Sequence, residues 1–172
     1  MGKVLIAYPL ALEKKKPSNE DKVAMELTRH FFAKSFSVKR ITLEPKKKLS
    51  VKDQFKNEKT LELKAGPSQL SSFDIVVLGT PIVGSLTSSP LVNAFIRGIP
   101  KKTGAGAKKQ KFVLFSAGVL HGFELKKMQS LLSMKGIKPI DSESFTSMFD
   151  FDEKKLFEVK QFFERFMDKI VD

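Results

Sequence analysis

With 172 residues, 41% of them hydrophobic and 29% charged, the chain has the balance of one ordinary globular domain, 1–172, long enough to bury roughly 70% of its unfolded surface. It has no cysteine and two histidines, His30 and His121, so disulfides, thiolate catalysis and thiolate metal centres are excluded and no metal site is expected. The net charge of +12 rests on 27 lysines and only four arginines, with no Trp and Tyr8 as the sole tyrosine, a poor set for reading base edges or stacking on single strands.

No apolar run reaches the ~18–20 residues of a membrane span, and "MGKVLIAY" is too short for a signal-peptide core. The expectation is a cytoplasmic protein without membrane or nucleic-acid partners. Its lysines form either a solvated surface or a field that attracts an anionic partner.

In chain order, "KVLIAY" (3–8) opens as a short apolar run suited to a strand buried on both faces. A long basic loop follows, with Lys14, Lys15, Lys16 and Pro17, and then a helix over 19–35 carrying Val23, Leu27 and Phe31 on one stripe. "SVKRITLE" (37–44) mixes apolar and charged residues and suits an edge strand. Residues 45–72 combine a lysine run, a short helix at 50–57 and the loop "KAGPSQLSS".

"DIVVLGT" (74–80) and "KFVLFSA" (111–117) are again interior strands. A helix over 88–99 begins with Ser-Ser-Pro and stops at Gly98, and another over 122–136 stops at Gly136. The last strand, 137–145, carries Pro139, which cannot donate to a ladder and so belongs at an edge. The closing helix, 152–171, aligns Leu156, Val159, Phe163, Phe166 and Ile170 for core packing.

This alternation predicts an α/β fold, a doubly wound five-stranded parallel sheet ordered 2-1-3-4-5 with helices on both faces. Such sheets bind ligands at the carboxyl ends of their strands, where the strand order reverses. That edge is formed by loops 9–18, 81–88 and 117–122.

The three units around those loops resemble the flavodoxin-like family. "FDIVVLGTPIVGSLTSSPLVNAFI" is similar to its middle signature, a strand ending Gly-Thr-Pro, a Gly loop and a Pro-started helix. "KFVLFSAGVLHGFELKKMQSLLSMKGIKPI" resembles the next unit and "KVLIAY…SNEDKVAMEL" the first. The resemblance implies flavin mononucleotide (FMN) at the top of the sheet, serving electron transfer or reduction of a small substrate, with a redox partner protein or small-molecule acceptor, acidic if the lysines steer it. The flavin would carry the chemistry, and no side chain is expected to act as a catalyst.

The implied phosphate site is Ser18, Asn19 and the N-terminus of the 19–35 helix. Ser18 and Asp21 also form a capping-box pattern that needs no ligand, and Glu13, Glu20 and Asp21 would repel a dianion if they faced it. The first loop is longer than the family's hydroxyl-rich cradle and contains neither Thr nor Gly.

The implied ring site takes Thr80, Pro81, Ile82, Val83 and Gly84 from the second loop, and Leu86 is a further apolar contact. From the third loop it takes Ser116, Ala117, Gly118, Gly122 and Phe123. Thr80 and Pro81 also read as a simple strand end, His121 as an exposed loop residue or a ring cover, and Phe123 as a helix core anchor or a ring wall. Lys46, Lys47 and Lys48 share the carboxyl edge with Lys14 to Lys16, while Lys101, Lys102, Lys108, Lys109 and Lys111 belong to the opposite edge. The alternative function is a flavin-free binding or scaffold module on the same fold.

Overall fold

A computed structural model describes residues 2–9, 17–83, 87–101, 110–120 and 122–171. Strand β1 (Lys3–Pro9) leads to helix α1 (Asn19–Ala33), β2 (Ser37–Leu43) and the short α2 (Val51–Lys56). Then come β3 (Ile75–Val83), a two-residue β4 (Thr87–Ser88), α3 (Pro90–Gly98) and β5 (Lys111–Gly118). Helix α4 (Glu124–Ser133), β6 (Asp141–Thr146) and α5 (Glu153–Val171) complete the chain.

The main sheet runs β2-β1-β3-β5-β6, every pair parallel, which is the 2-1-3-4-5 order once the short β4 is set aside. β4 pairs antiparallel with the end of β3, Ile82 opposite Ser88 and Val83 opposite Thr87. The apolar runs of β1, β3 and β5 are continuous because alternate residues serve opposite faces. Val4, Ile6, Val77, Val113 and Phe115 point to the α1/α5 side, where Phe31, Phe145, Phe162, Phe163 and Phe166 form the bulk of one core. Leu5, Ala7, Val76, Leu78, Phe112 and Leu114 point to the other side and meet Phe95 and Ile96 of α3 and Met128 and Leu132 of α4. The Phe31 and Phe163 rings meet edge to face, centroids 4.9 Å apart, an arrangement that suits the aromatic quadrupoles.

Several boundaries differ from the sequence-based expectations. The last strand starts at Asp141 rather than 137: Pro139 has no N–H, so the chain joins the sheet only at Ile140, whose N–H donates to the Phe112 carbonyl at 2.8 Å. β3 runs on past Thr80 to Val83, so Ile82 and Val83 are strand rather than loop, held there by antiparallel pairing with β4. Helix α1 stops at Ala33. Ser35 takes a left-handed φ of 62°, and the Phe36 N–H returns to the Phe31 carbonyl at 3.0 Å, closing the helix end. Helix α4 likewise stops at Ser133, three residues short of Gly136, whose φ of 72° lets the Ile137 N–H reach the Leu132 carbonyl.

Gly79 is the tightest point of the sheet. A Cβ there would lie 2.1 Å from Cζ of Phe115 on the neighbouring strand, whose ring lies fully buried over the glycine. Gly79→Ala is therefore expected to cost about 1–3 kcal/mol by overpacking. Gly66→Ala, where nothing lies within 4 Å of the added carbon, should stay within about 0.5 kcal/mol of the parent, and urea titration of the two variants checks both expectations.

Candidate functional site

The parallel order brings the ends of β1, β3 and β5 together at one edge of the sheet, with the N-termini of α1, α3 and α4 above them. At the end of β1, Tyr8 is buried near the carboxylate of Asp21 on α1. Burial first, and then the interaction with Asp21, push the phenol pKa up to about 12, with Arg40 opposing and Glu20 adding to the rise.

Ser18 caps α1. Its Oγ accepts from the Asp21 N–H at 3.2 Å, while Asp21 Oδ2 accepts from the Ser18 N–H at 3.0 Å and from Ser18 Oγ at 3.1 Å. The capping box anticipated in the sequence is thus complete. Asn19 Oδ1 accepts from the Phe151 N–H at 3.1 Å, tying α1 to the chain that enters α5.

At the end of β3, the fully buried Thr80 donates through Oγ1 to the Pro81 carbonyl at 2.8 Å and accepts from the Ser89 N–H at 2.9 Å, so it anchors the start of α3. Pro81 and Ile82 are half-buried. Val83 ends the strand, and Gly84 and Leu86 lie outside the described residues, as do His121 and Lys14 to Lys16.

At the end of β5, Ser116 is fully buried. Its Oγ contacts Glu124 Oε1 and Ser144 Oγ, both at 2.8 Å. Glu124 is 1% exposed, and its Oε2 has no hydrogen-bond partner among the described residues. Ala117 is buried. Gly118 is closely covered by Ile82, whose Cδ1 would lie 2.9 Å from a Cβ placed there, and its carbonyl accepts from the Ser147 N–H.

Gly122 is half-buried and Phe123 is 66% exposed, with Lys126 Nζ 5.8 Å from its ring centroid. Such exposure excludes the core-anchor role for Phe123 and leaves its ring facing solvent at the sheet edge. The Ser147–Gly118 bond brings the loop after β6 alongside the loop after β5. Together they expose Val119, Leu120, Phe123, Met148 and Phe149, the last at 80%.

Sequence reasoning named Ser18, Asn19, Thr80, Pro81, Ile82, Ser116, Ala117, Gly118, Gly122 and Phe123, and all of these lie at this edge. It did not assign roles here to Tyr8, Glu124, Met148 or Phe149. The signal for the last two was the apolar pair in "SMFDF" between a polar edge strand and a helix, on the same side of the sheet. Lys46, Lys47 and Lys48 are exposed beyond β2, with Lys46 Nζ 3.4 Å from Glu62, and Lys101 and Lys111 lie toward the opposite edge.

No family model and no curated protein matches the sequence. Solved structures do. The chain is similar to oxidised flavodoxin 1 from Bacillus cereus, with a TM-score of 0.65 over 96% of this chain and 97% of that one at 12% identity. The chain has the flavodoxin-like fold. It is also similar to an FMN-dependent NADH-azoreductase from Bacillus anthracis in complex with FMN, with a TM-score of 0.62, 12% identity and coverage of 96% and 97%. An NAD(P)H:quinone oxidoreductase from Methanothermobacter marburgensis gives 0.63, 12% identity and 96% of each chain.

A flavin brought to this edge would meet two different surfaces. The ring end fits: Ile82, Leu120 and Phe123 offer aliphatic and aromatic contact beside backbone of the Ala117–Gly118 strand end. At the phosphate end, among the described residues, the Ser18 N–H and the Ser18 hydroxyl are already directed at Asp21.

The raised phenol pKa carries a pH signature. Tyr8 folds as the neutral phenol, so its contribution is fully present below its unfolded value of 10 and is lost as pH climbs toward 12. The two-unit rise corresponds to about 3 kcal/mol. Tyr8→Phe should flatten the fall in urea stability between about pH 10 and 12 that the parent displays.

Proposed function

We propose that this chain is a flavoprotein that holds the isoalloxazine ring of FMN at the carboxyl edge of β1, β3 and β5 for electron transfer or reduction of a small substrate. The observation that carries this reading is the 66% exposure of Phe123, after β5 at the carboxyl edge of a flavodoxin-like sheet, beside Leu120 at 60%. Large apolar side chains left in water cost free energy unless a ligand or partner covers them.

When bound, a flavin supplies one- and two-electron transfer. The chain's part is to bind and orient the ring. Phe123 presents an aromatic face, Ile82 and Leu120 exclude water from the ring, and backbone polar groups at the ends of β3 and β5 pair with its polar rim. The acceptor is an acidic redox partner or a small molecule, drawn by the exposed lysines 46–48 on the same edge. A flavin-free scaffold role is the second reading. It is favoured by the internal use of the Ser18, Asn19, Thr80 and Ser116 side chains.

Titration of the purified chain with FMN, followed by absorbance and by melting, separates the two. Binding should stabilise the fold by about 2.7 kcal/mol at a hundredfold excess over the dissociation constant. Phe123→Ala should weaken binding about tenfold, a loss of ~1.4 kcal/mol in ring contact, without lowering the stability of the flavin-free chain. An unchanged spectrum and melting curve at millimolar FMN would decide for the scaffold.

A further inference from the structure

We propose that Glu58, in the segment between β2 and β3, is a positioning residue for the β3–β4 pair at the carboxyl edge, acting through Asn93 and Ser88. The proposal rests on the flavin reading above for its functional part, because Ile82 of that pair is one of the side chains assigned to the ring.

After β2 the chain leaves the sheet and returns to it at β3. Within this excursion the single 3-10 turn Glu58–Thr60 packs against α3. The Glu58 side chain is 11% exposed and lies between two cations: Arg97 Nη2 of α3 is 2.7 Å from Oε1, and Lys127 Nζ of α4 is 3.1 Å from Oε2. Burial pushes its carboxyl pKa up, and the bonds from Arg97 and Lys127 outweigh burial and hold it below the usual range. At neutral pH the group is therefore a carboxylate.

A third donor reaches it. Asn93 of α3 is fully buried, and its Nδ2 donates to Glu58 Oε2 at 3.3 Å. The other end of the amide, Oδ1, accepts from Ser88 Oγ of β4 at 2.7 Å. A carboxylate only accepts, so Glu58 fixes which end of the amide faces it, turns the oxygen toward β4 and requires the Ser88 hydroxyl to donate. Leu91, Val92, Phe95 and Ile96 are buried on the same helix, and an amide in such a setting is costly unless both its ends are bonded. Without the carboxylate, Nδ2 keeps only a long bond of 3.4 Å to the Ser88 carbonyl among the described residues.

At Ser88 this chain of bonds meets the site. Ser88 is fully buried and pairs with Ile82, whose side chain covers Gly118 at the end of β5. The next residue, Ser89, donates its N–H to Thr80 Oγ1. The β3–β4 pair is thus held from the sheet by Thr80 and from the helical layer by Glu58 through Asn93. Loss of the carboxylate releases the second hold alone.

Amide hydrogen exchange on the full chain tests this without a ligand. Glu58→Ala should speed exchange at Ile82, Val83, Ser88 and Ser89 about tenfold or more relative to β1 and β5. Glu58→Gln keeps an acceptor oxygen for Asn93 and should restore most of that protection. Ser88→Ala should loosen the same amides, and Glu58→Ala added to it should change them by less than about twofold further. Parent-like protection in Glu58→Ala, an equal loss across the whole sheet, or additive effects of the two substitutions overturns the proposal. Should Glu58→Ala fail to fold, Glu58→Asp, which keeps the charge but shortens the reach to Asn93, should speed the same amides about threefold or more, and parent-like exchange there overturns it.

FMN affinity measures the consequence at the ring. Glu58→Ala should weaken FMN about fivefold or more, and Glu58→Gln by less than about twofold. Unchanged FMN affinity in a variant whose β3–β4 pair has loosened overturns the role of Glu58 at the site. Failure of FMN to bind the parent chain overturns the flavin reading, and the exchange comparison still decides whether Glu58 positions the pair.

Discussion

A parallel strand pair cannot be closed by a tight turn, and everything else in this molecule follows from that constraint. Each step from one main strand to the next must cross over the sheet, and the right-handed crossover places a helix on one face or the other. The order β2-β1-β3-β5-β6 reverses direction at β1 and β3, so α1 and α5 cover one face and α3 and α4 the other. The same constraint gathers the loops after β1, β3, β5 and β6 at one edge. A shared edge with helix N-termini above it is a consequence of connectivity before any ligand is considered.

The sequence meets this constraint with unusual reliance on phenylalanine. Rings from α1, β6 and α5 interlock on one face, with Phe162, Phe163 and Phe166 packing on one another and on Phe31 and Phe145. Rigid rings fill volume at low conformational-entropy cost but need matched spaces, which is why Gly79 must stay bare beneath Phe115. At the outer edge strand the packing ends in charge: Asp141 is held by Arg165 and Lys169 of α5. Burial raises its carboxyl pKa, and those cations outweigh burial and keep it below the usual range.

Polar groups at the carboxyl edge are arranged to hold the scaffold. Thr80 fixes the start of α3, Ser116 and Ser144 bind Glu124 at the start of α4, and Ser18 with Asp21 closes α1. Buried polar atoms need partners, and here the chain supplies most of them from within. The paired loops after β5 and β6 expose apolar side chains at that edge, while lysines 46–48 are exposed beyond β2. The edge thus joins a polar layer held largely from within to an exposed apolar lip.

Much of this was legible in the sequence. Continuous apolar runs at 3–8, 74–80 and 111–117 could only be strands buried on both faces. The mixed run at 37–44 and the proline at 139 marked the edges, and Ser18 with Asp21 announced the cap. These signals are local, set by side-chain period, a missing N–H or a three-residue spacing, and local signals survive without knowledge of the fold. The destination of each polar group was not legible. That Asn19 would hold Phe151 132 residues away and that Phe123 would stay in water were decided by which strand ends met in space. The sequence by itself determined the elements and their order. Only the tertiary structure decided which described polar groups at that edge are held from within, because a hydrogen bond between distant residues depends on contacts that no local pattern encodes.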